Sequence, residues 1–340
     1  MPANRFLRTS WMFSATDRLD CPEHRLVLRR VSSAEAVQMA ELARARNAYS
    51  RHGTDDAFYL ERIGRLSGAT VIEVFYDGDT DAQLAAVKAK ATLFEHLALT
   101  CASFGLPRAR IHTLLAINEH RRFGFDLAIG DGFAKLRSTA RKEALPKGLP
   151  ATAAFARRFK RMGFEHAFSV AASTHPFAAR IQLALNWQSE SLQEASPTAA
   201  IVKTAIALES LLVANEQESL RGPIAERTAF LLARDPETRK RIARTMKKFY
   251  DLRSSLVHGG RKKAVVLPDG TLDGADRIIA LLILALTHNV PRLTSFDALT
   301  SWVDELKWGA PAASSTVAFP ESHLTRALNH LDPKFSASGA

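Results

Sequence analysis

Cysteine is scarce in this sequence. Only Cys21 and Cys101 occur among 340 residues, and two thiols so far apart give neither a zinc-ligand spacing nor a disulfide framework. They fit a reducing compartment, and a cytoplasmic protein is expected. Long apolar runs are also missing. The longest, Ile278 to Leu286 (IIALLILAL), is about half the length that crosses a bilayer, so it is expected to be a buried helix, with no membrane partner. Arg5 and Arg8 near the start are followed by no continuous apolar stretch, so no secretory signal is expected. There is no glycine-rich phosphate loop, no cluster of metal ligands and no internal repeat, and neither metal nor cofactor is expected. The histidines before Pro176 are scattered without sequence partners and read as structural. Only the stretch after Gly309 is dominated by small residues, and a loose tail is expected there.

What the sequence does have is positive charge, and it is unevenly placed. The net charge is +11. The segment Arg239 to Lys263 carries ten Lys/Arg against Asp251 alone, and Lys135 to Arg161 carries nine against Glu143. Together they contribute +17, which leaves the rest of the chain at −6. Two basic segments on an otherwise acidic chain are the footprint of a polyanion-binding surface. Hydrophobic residues at 46% and charged residues at 24% allow a proper core, and the length suits two domains.

The first half alternates strand and helix patterns, and the fold class expected is α+β: a mixed α/β region followed by an all-α bundle. Strands are expected at Leu26 to Val31, Ala69 to Tyr76, Arg110 to Ile117 and around Phe123 to Ile129. Ser32-Ser33-Ala34-Glu35 has capping-box spacing and opens a helix to about Ala48. Another helix runs from Asp81 to Ser103. From Phe133 the pattern reads as basic helix, broken at Pro146 to Pro150. The expected boundaries are 1–150 for the mixed domain, 151–175 for a basic helical connector, 176–292 for the bundle and 293–340 for a C-terminal helix and tail. Within the bundle, helices are expected from Phe177 to Glu194, Pro197 to Val213, Pro223 to Arg234, Pro236 to Gly259 and Gly274 to Asn289. A short hairpin is expected from Val265 to Leu272.

Two charges break the apolar pattern of these helices. On the long helix, Ile242, Met246, Phe249 and Leu256 mark an apolar stripe, and Arg253 falls about 20° from Ile242. On the helix before it, Glu209 lies between the directions of Ala205 and Val213. An unpaired charge out of water is costly, so Glu209 and Arg253 are expected to face each other or to share a polar group, with Arg227 as the competing partner. His258 follows Arg253 by five residues, in the last turn, where the helix dipole favours its charged form. Its Cα direction differs from that of Arg253 by about 140°, so only the long arginine side chain lets the two heads meet. Ser254, one turn before His258, can reach it. Lys247, Lys248, Arg261, Lys262 and Lys263 are candidate contacts to a phosphate backbone, with Tyr250 and Asp251 in supporting positions.

Three blocks, Ala207 to Leu212 (ALESLL), Ala225 to Leu232 (AERTAFLL) and Tyr250 to Gly259 (YDLRSSLVHG), resemble the Apea-like branch of the HEPN superfamily, in that family's order and over about a third of the chain. The resemblance implies a four- or five-helix bundle that dimerises and brings two Arg-x4-His motifs into one cleft. It further implies a metal-independent endoribonuclease of the toxin or anti-phage defence kind. Arg253 and His258 would be its catalytic pair, and Glu209 the acidic residue of the preceding helix. His258 would move the proton of a ribose 2′-hydroxyl or of the leaving 5′-oxygen, and Arg253 would steady the phosphorane-like charge. The products would be a 2′,3′-cyclic phosphate and a 5′-hydroxyl. Ser254 departs from the Asn, Asp or His that many active members carry there. A non-catalytic RNA- or nucleotide-binding module, or a dimerisation module, is therefore the alternative. The N-terminal region resembles no family, and a sensor role there would call for an activating ligand or phage component.

Overall fold

The computed structural model describes residues 4–10, 12–45, 63–64, 66–78, 80–119, 125–130, 133–138, 148–214, 220–258, 268–309 and 321–331, with the backbone alone for 116–119, 125, 136–138 and 258. These form two compact units. The first comprises residues up to Glu95 together with Thr113–Lys160; the second comprises His96–His112 and everything from Arg161. The chain is α+β, a mixed region followed by a helical one.

The first unit is built on an antiparallel six-stranded sheet. Its strands are β1 (Asn4–Thr9), β3 (Leu19–Cys21), β4 (Leu26–Arg30), β5 (Thr70–Tyr76), β6 (Phe125–Gly130) and β7 (Phe133–Ser138), in the order β3-β4-β5-β1-β6-β7. The short β2 (Phe13–Ala15) pairs in parallel with β8 (Leu149–Ala151). A Cβ at Gly148 would lie 2.6 Å from the Met12 carbonyl oxygen, so only glycine lets these two strands meet. Helix α1 (Ser33–Ala45) covers one face, where Leu7, Val71 and Leu127 form a core with Met39 and Ala43. Helix α2 (Asp81–Ala102) covers the other, where Arg8 Nη1 reaches Thr92 Oγ1 and the Lys88 carbonyl. Covered on both sides, β1 buries the adjacent residues Phe6 and Leu7 completely, and β5 buries nearly its whole length.

Charges inside this sheet are matched across strands. Glu73, 2% exposed, receives Arg5 Nε at 2.6 Å and Arg29 Nε at 2.7 Å. Both arginines sit diagonally across the ladder on the flanking strands, within reach of long side chains. Arg8 donates to Asp126 at 3.0 Å on the opposite face. The capping box at Ser32 closes as its spacing requires: Ser32 N–H donates to Glu35 Oε2 at 3.0 Å and Glu35 N–H to Ser32 Oγ at 3.2 Å.

One buried acid in this unit is matched only in part. Glu95 is 6% exposed, accepts from Ser10 Oγ, and lies near Arg8 and Asp126. Burial pushes its pKa up from 4.5 to about 7. A raised carboxyl pKa means the folded state binds the extra proton, so this stability is full below the unfolded value and lost as pH rises through about 7. Wild type should lose up to about 3 kcal/mol between pH 4.5 and 8 that Glu95→Gln does not lose. Urea midpoints at the two pH values check this, and parallel pH profiles would refute it.

Two strand and helix expectations are reversed. Arg110 to Ile117 is not a strand. It lies inside helix α3 (Arg108–Glu119), whose first turn is set by the Pro107 carbonyl accepting from Arg110 and Ile111. The alternating Ile111, Thr113 and Leu115 imitate a strand, but Pro107 ahead of them opens a helix. Phe133 to Ser138 is strand rather than basic helix, because β6 offers it a full antiparallel ladder. The basic connector divides between the units: α4 (Ala153–Arg161) belongs to the first up to Lys160, and α5 (Phe164–Ala171) to the second.

The second unit is helical: α6 (Ala178–Gln193), α7 (Pro197–Leu212), α8 (Arg221–Leu232), α9 (Pro236–His258), α10 (Thr271–His288), α11 (Phe296–Trp308) and α12 (Glu321–Leu331). Its centre is α10, buried from Ala275 to Thr287 and packed against α5, α7, α8 and α12. The apolar run Ile278 to Leu286 is therefore a core helix. No helix among the described residues is long and apolar enough to cross a membrane. The expected hairpin from Val265 falls partly outside the described residues, and its second half is instead the start of α10, preceded by Gly270 at φ 81°. The small-residue tail is interrupted by α12, whose Leu324, Ala327 and Leu328 are buried.

Candidate functional site

The two pattern-breaking charges meet. Arg253 on α9 lies 3.7 Å from Glu209 on α7, each side chain about one-fifth exposed. At that distance they form an ion pair rather than a hydrogen bond. Glu209 Oε1 and Arg253 Nε are both buried with no hydrogen-bond partner among the described residues. Burial pushes the Glu209 carboxyl up, opposed by the Arg253 charge and by a hydrogen bond from Tyr250. Tyr250 is itself buried, and its one hydroxyl proton is shared between Glu209 and the Ala205 carbonyl, 3.3 Å away. Its phenol is pushed well above its ordinary pKa by burial and by the Glu209 charge, so it stays a donor. The result is a cation held beside a carboxylate but not locked to it, with unused N–H capacity that an oxyanion can take up.

The sequence places these side chains for a simple reason. Ile242, Met246 and Phe249 are buried and fix which way α9 faces, and Arg253 follows them onto the same side. Leu256, at the end of that stripe, is only half-buried. The chain enters α9 through a well-made cap, Thr238 N–H donating to Asp235 Oδ1 at 2.7 Å.

The remaining expected site residues are distributed as follows. His258 is the last residue of α9, and its side chain lies outside the described residues, as do Arg261, Lys262 and Lys263. Ser254 is exposed, as are Lys247 and Lys248. Asp251 pairs with Arg221 at 2.6 Å across α8 and α9. Arg227 is used elsewhere: it donates to the Leu212 carbonyl and lies 5.2 Å above the Phe296 ring. Arg180, which the sequence did not single out, shares that role. It donates to the Ser210 and Val213 carbonyls at 2.7 and 2.8 Å and packs 4.4 Å above Phe296. Two guanidinium groups thus close the C-terminus of the helix that carries Glu209.

A second set of residues missed from sequence lies deeper. Arg108 and Asp276 form a buried pair at 2.8 Å with Gln188 and Ser191 around it. A carboxylate inside an apolar helix, the same signal that marked Glu209, could have found Asp276. Among the described residues no group of His, Cys, Asp and Glu could hold a metal ion. No family model matches this chain, and no curated protein or solved structure matches it either.

Proposed function

We propose that the helical unit is a HEPN-type endoribonuclease that cuts RNA by attack of its own 2′-hydroxyl, without a metal ion. The observation that carries the reading is the Glu209–Arg253 pair, an incompletely satisfied cation that a charge-breaking residue pattern required. Arg253 would stabilise the charge on the phosphorane-like transition state. His258, five residues on, would act on the proton of the 2′-hydroxyl or of the leaving oxygen. Glu209 and Tyr250 would position Arg253. One histidine cannot be acid and base in the same step, so the active form would be a homodimer with two copies in one cleft. The protein would work in the cytoplasm, as a toxin-like or anti-phage effector whose N-terminal unit receives the activating signal. An inactive RNA- or nucleotide-binding module is the second reading, favoured by Ser254 after the arginine.

Wild-type protein and His258→Ala, both shown to be folded, are incubated with total RNA in excess EDTA and fragment ends are mapped. Cutting by wild type alone, leaving 2′,3′-cyclic phosphates, is the expected result. Equal cutting by His258→Ala, or cutting that EDTA abolishes, would overturn it.

A further inference from the structure

A groove of about 680 Å³ lies in the helical unit between α8, α9 and α11; neither Glu209 nor Arg253 lines it. Along α9 its wall is Pro236, Arg239, Lys240, Ala243 and Lys247; Pro236, Lys240, Ala243 and Lys247 recur every three or four residues, which is one face of a helix over about 16 Å. The same face, continued along α9, passes Ser254 and reaches His258. Lys240 and His258 are eighteen residues, or five turns, apart, so their Cα directions coincide.

The groove is cationic. Arg227, Arg239, Lys240, Lys247 and Lys307 line it against Glu226 and Asp304. Lys307 is paired with Glu226 at 2.9 Å, and Lys240 with Glu237 one turn away at 2.8 Å. Lys247 is exposed and has no ion pair or hydrogen bond among the described residues. Arg239 is held in place by the Ala233 carbonyl at 2.9 Å and by the Phe230 ring at 4.4 Å. Burial pushes its pKa down, only partly offset by Asp235; it is a cation short of negative charge. At the α11 side, Lys307 Nζ lies 5.2 Å above the ring of Trp308, which at 79% is the most exposed large apolar side chain among the described residues.

We propose that this groove is a track for single-stranded RNA, its phosphates over Lys240 and Lys247 and a base stacked on Trp308. The choice of RNA as ligand rests on the nuclease reading; the groove, its charge and the exposed ring next to Lys307 do not. Cations two turns apart on one helix face, Lys240 and Lys247, fit a strand better than a compact anion, and that face leads toward His258. A positive groove beside an exposed aromatic ring is the general solution for an unpaired strand. A duplex, with its bases stacked inward, would touch only the rim.

The test is fluorescence anisotropy of a labelled 2′-O-methyl oligoribonucleotide, which has no 2′-hydroxyl to attack, with the full chain in EDTA and about 50 mM salt. Lys240→Gln/Lys247→Gln should weaken binding at least about 10-fold and lower the slope of log K against log salt by about 1.4. Trp308→Ala should weaken it at least about 5-fold. All three residues are exposed, so folding is not at stake, and melting curves check it. Binding by both variants within twofold of wild type overturns the proposal, as does a duplex of the same sequence binding as tightly. The two readings fail separately. If wild type cuts unmodified RNA while the groove variants bind normally, the groove is wrong and the nuclease stands. If the variants lose binding and wild type cuts nothing, the reverse holds.

Discussion

Arg108→Ala is expected to destabilise the helical unit by about 3–5 kcal/mol. Asp276 is 1% exposed in the middle of α10, and Arg108 gives it two hydrogen bonds from Nη1 at 2.8 and 3.0 Å. Arg108 Nη2 reaches the Ser191 carbonyl and its Oγ, which in turn contacts Thr204 Oγ1 at 2.7 Å. Gln188 Nε2 donates to Asp276 at 2.7 Å, and the Arg108 amide to Asp273 at 2.6 Å. One guanidinium thus joins α3, α6 and α10. Burial pushes the Asp276 carboxyl up while Arg108 and Gln188 draw it down. Without Arg108 only the upward push and Gln188 remain, and the acid would have to protonate to stay inside. The folded pKa then lies further above the unfolded one, so the loss should be largest at pH 8 and shrink as pH falls toward the unfolded carboxylate value. Removing both charges in Arg108→Met/Asp276→Leu should recover most of the loss, because the cost lies in the orphaned ion rather than in the missing pair. Urea unfolding reads the difference, and a melting temperature lower by roughly 10 °C is the matching thermal signature. An Arg108→Ala loss below 1 kcal/mol would show that the network is dispensable.

What was legible from sequence, and what was not, divides by the distance over which an interaction acts. The capping box at Ser32 and Glu35 was readable because both partners are within one turn. Glu209 and Arg253 were readable although 44 residues separate them in the chain, because each stands out against the apolar face of its own helix. The buried run in α10 was readable from hydrophobicity alone. By contrast, β1 was not seen as a strand. Its Arg5 and Arg8 were weighed only against a secretory signal, and their partners Glu73 and Asp126 lie 68 and 118 residues away. Arg108 was passed over for the same reason, since Asp276 is 168 residues distant. The strand at Phe133 was hidden by its lysine and arginine and exists because β6 pairs with it. Within the candidate site, the pattern predicted which charges would meet. It gave no hint that Arg180 and Arg227 would converge on Phe296, because that cluster forms only when α6, α8, α11 and the end of α7 come together.

Arg253→Ala should slow RNA cleavage at least about 100-fold if the nuclease reading holds, the usual cost of removing one donor aimed at transition-state charge. Arg253→Lys should recover little of it, because an ammonium keeps the charge but lacks the planar fork that meets two phosphate oxygens at once. Stability should barely change, since the contact with Glu209 is a 3.7 Å ion pair with both side chains partly open to water, and such pairs contribute at most about 1 kcal/mol. That separation of effects is the informative part: a residue that only held the bundle together would lose melting temperature along with activity. Glu209 touches the arginine and is a positioning residue. Glu209→Gln should therefore lower the cleavage rate by about 10-fold while leaving the affinity for uncut RNA unchanged, and Glu209→Asp should restore part of the rate. Single-turnover cleavage, with binding measured separately on a 2′-O-methyl strand, distinguishes the two quantities. Arg253→Ala cutting within threefold of wild type would remove the arginine from the chemistry. The cutting would then have to come from groups other than the Glu209–Arg253 pair.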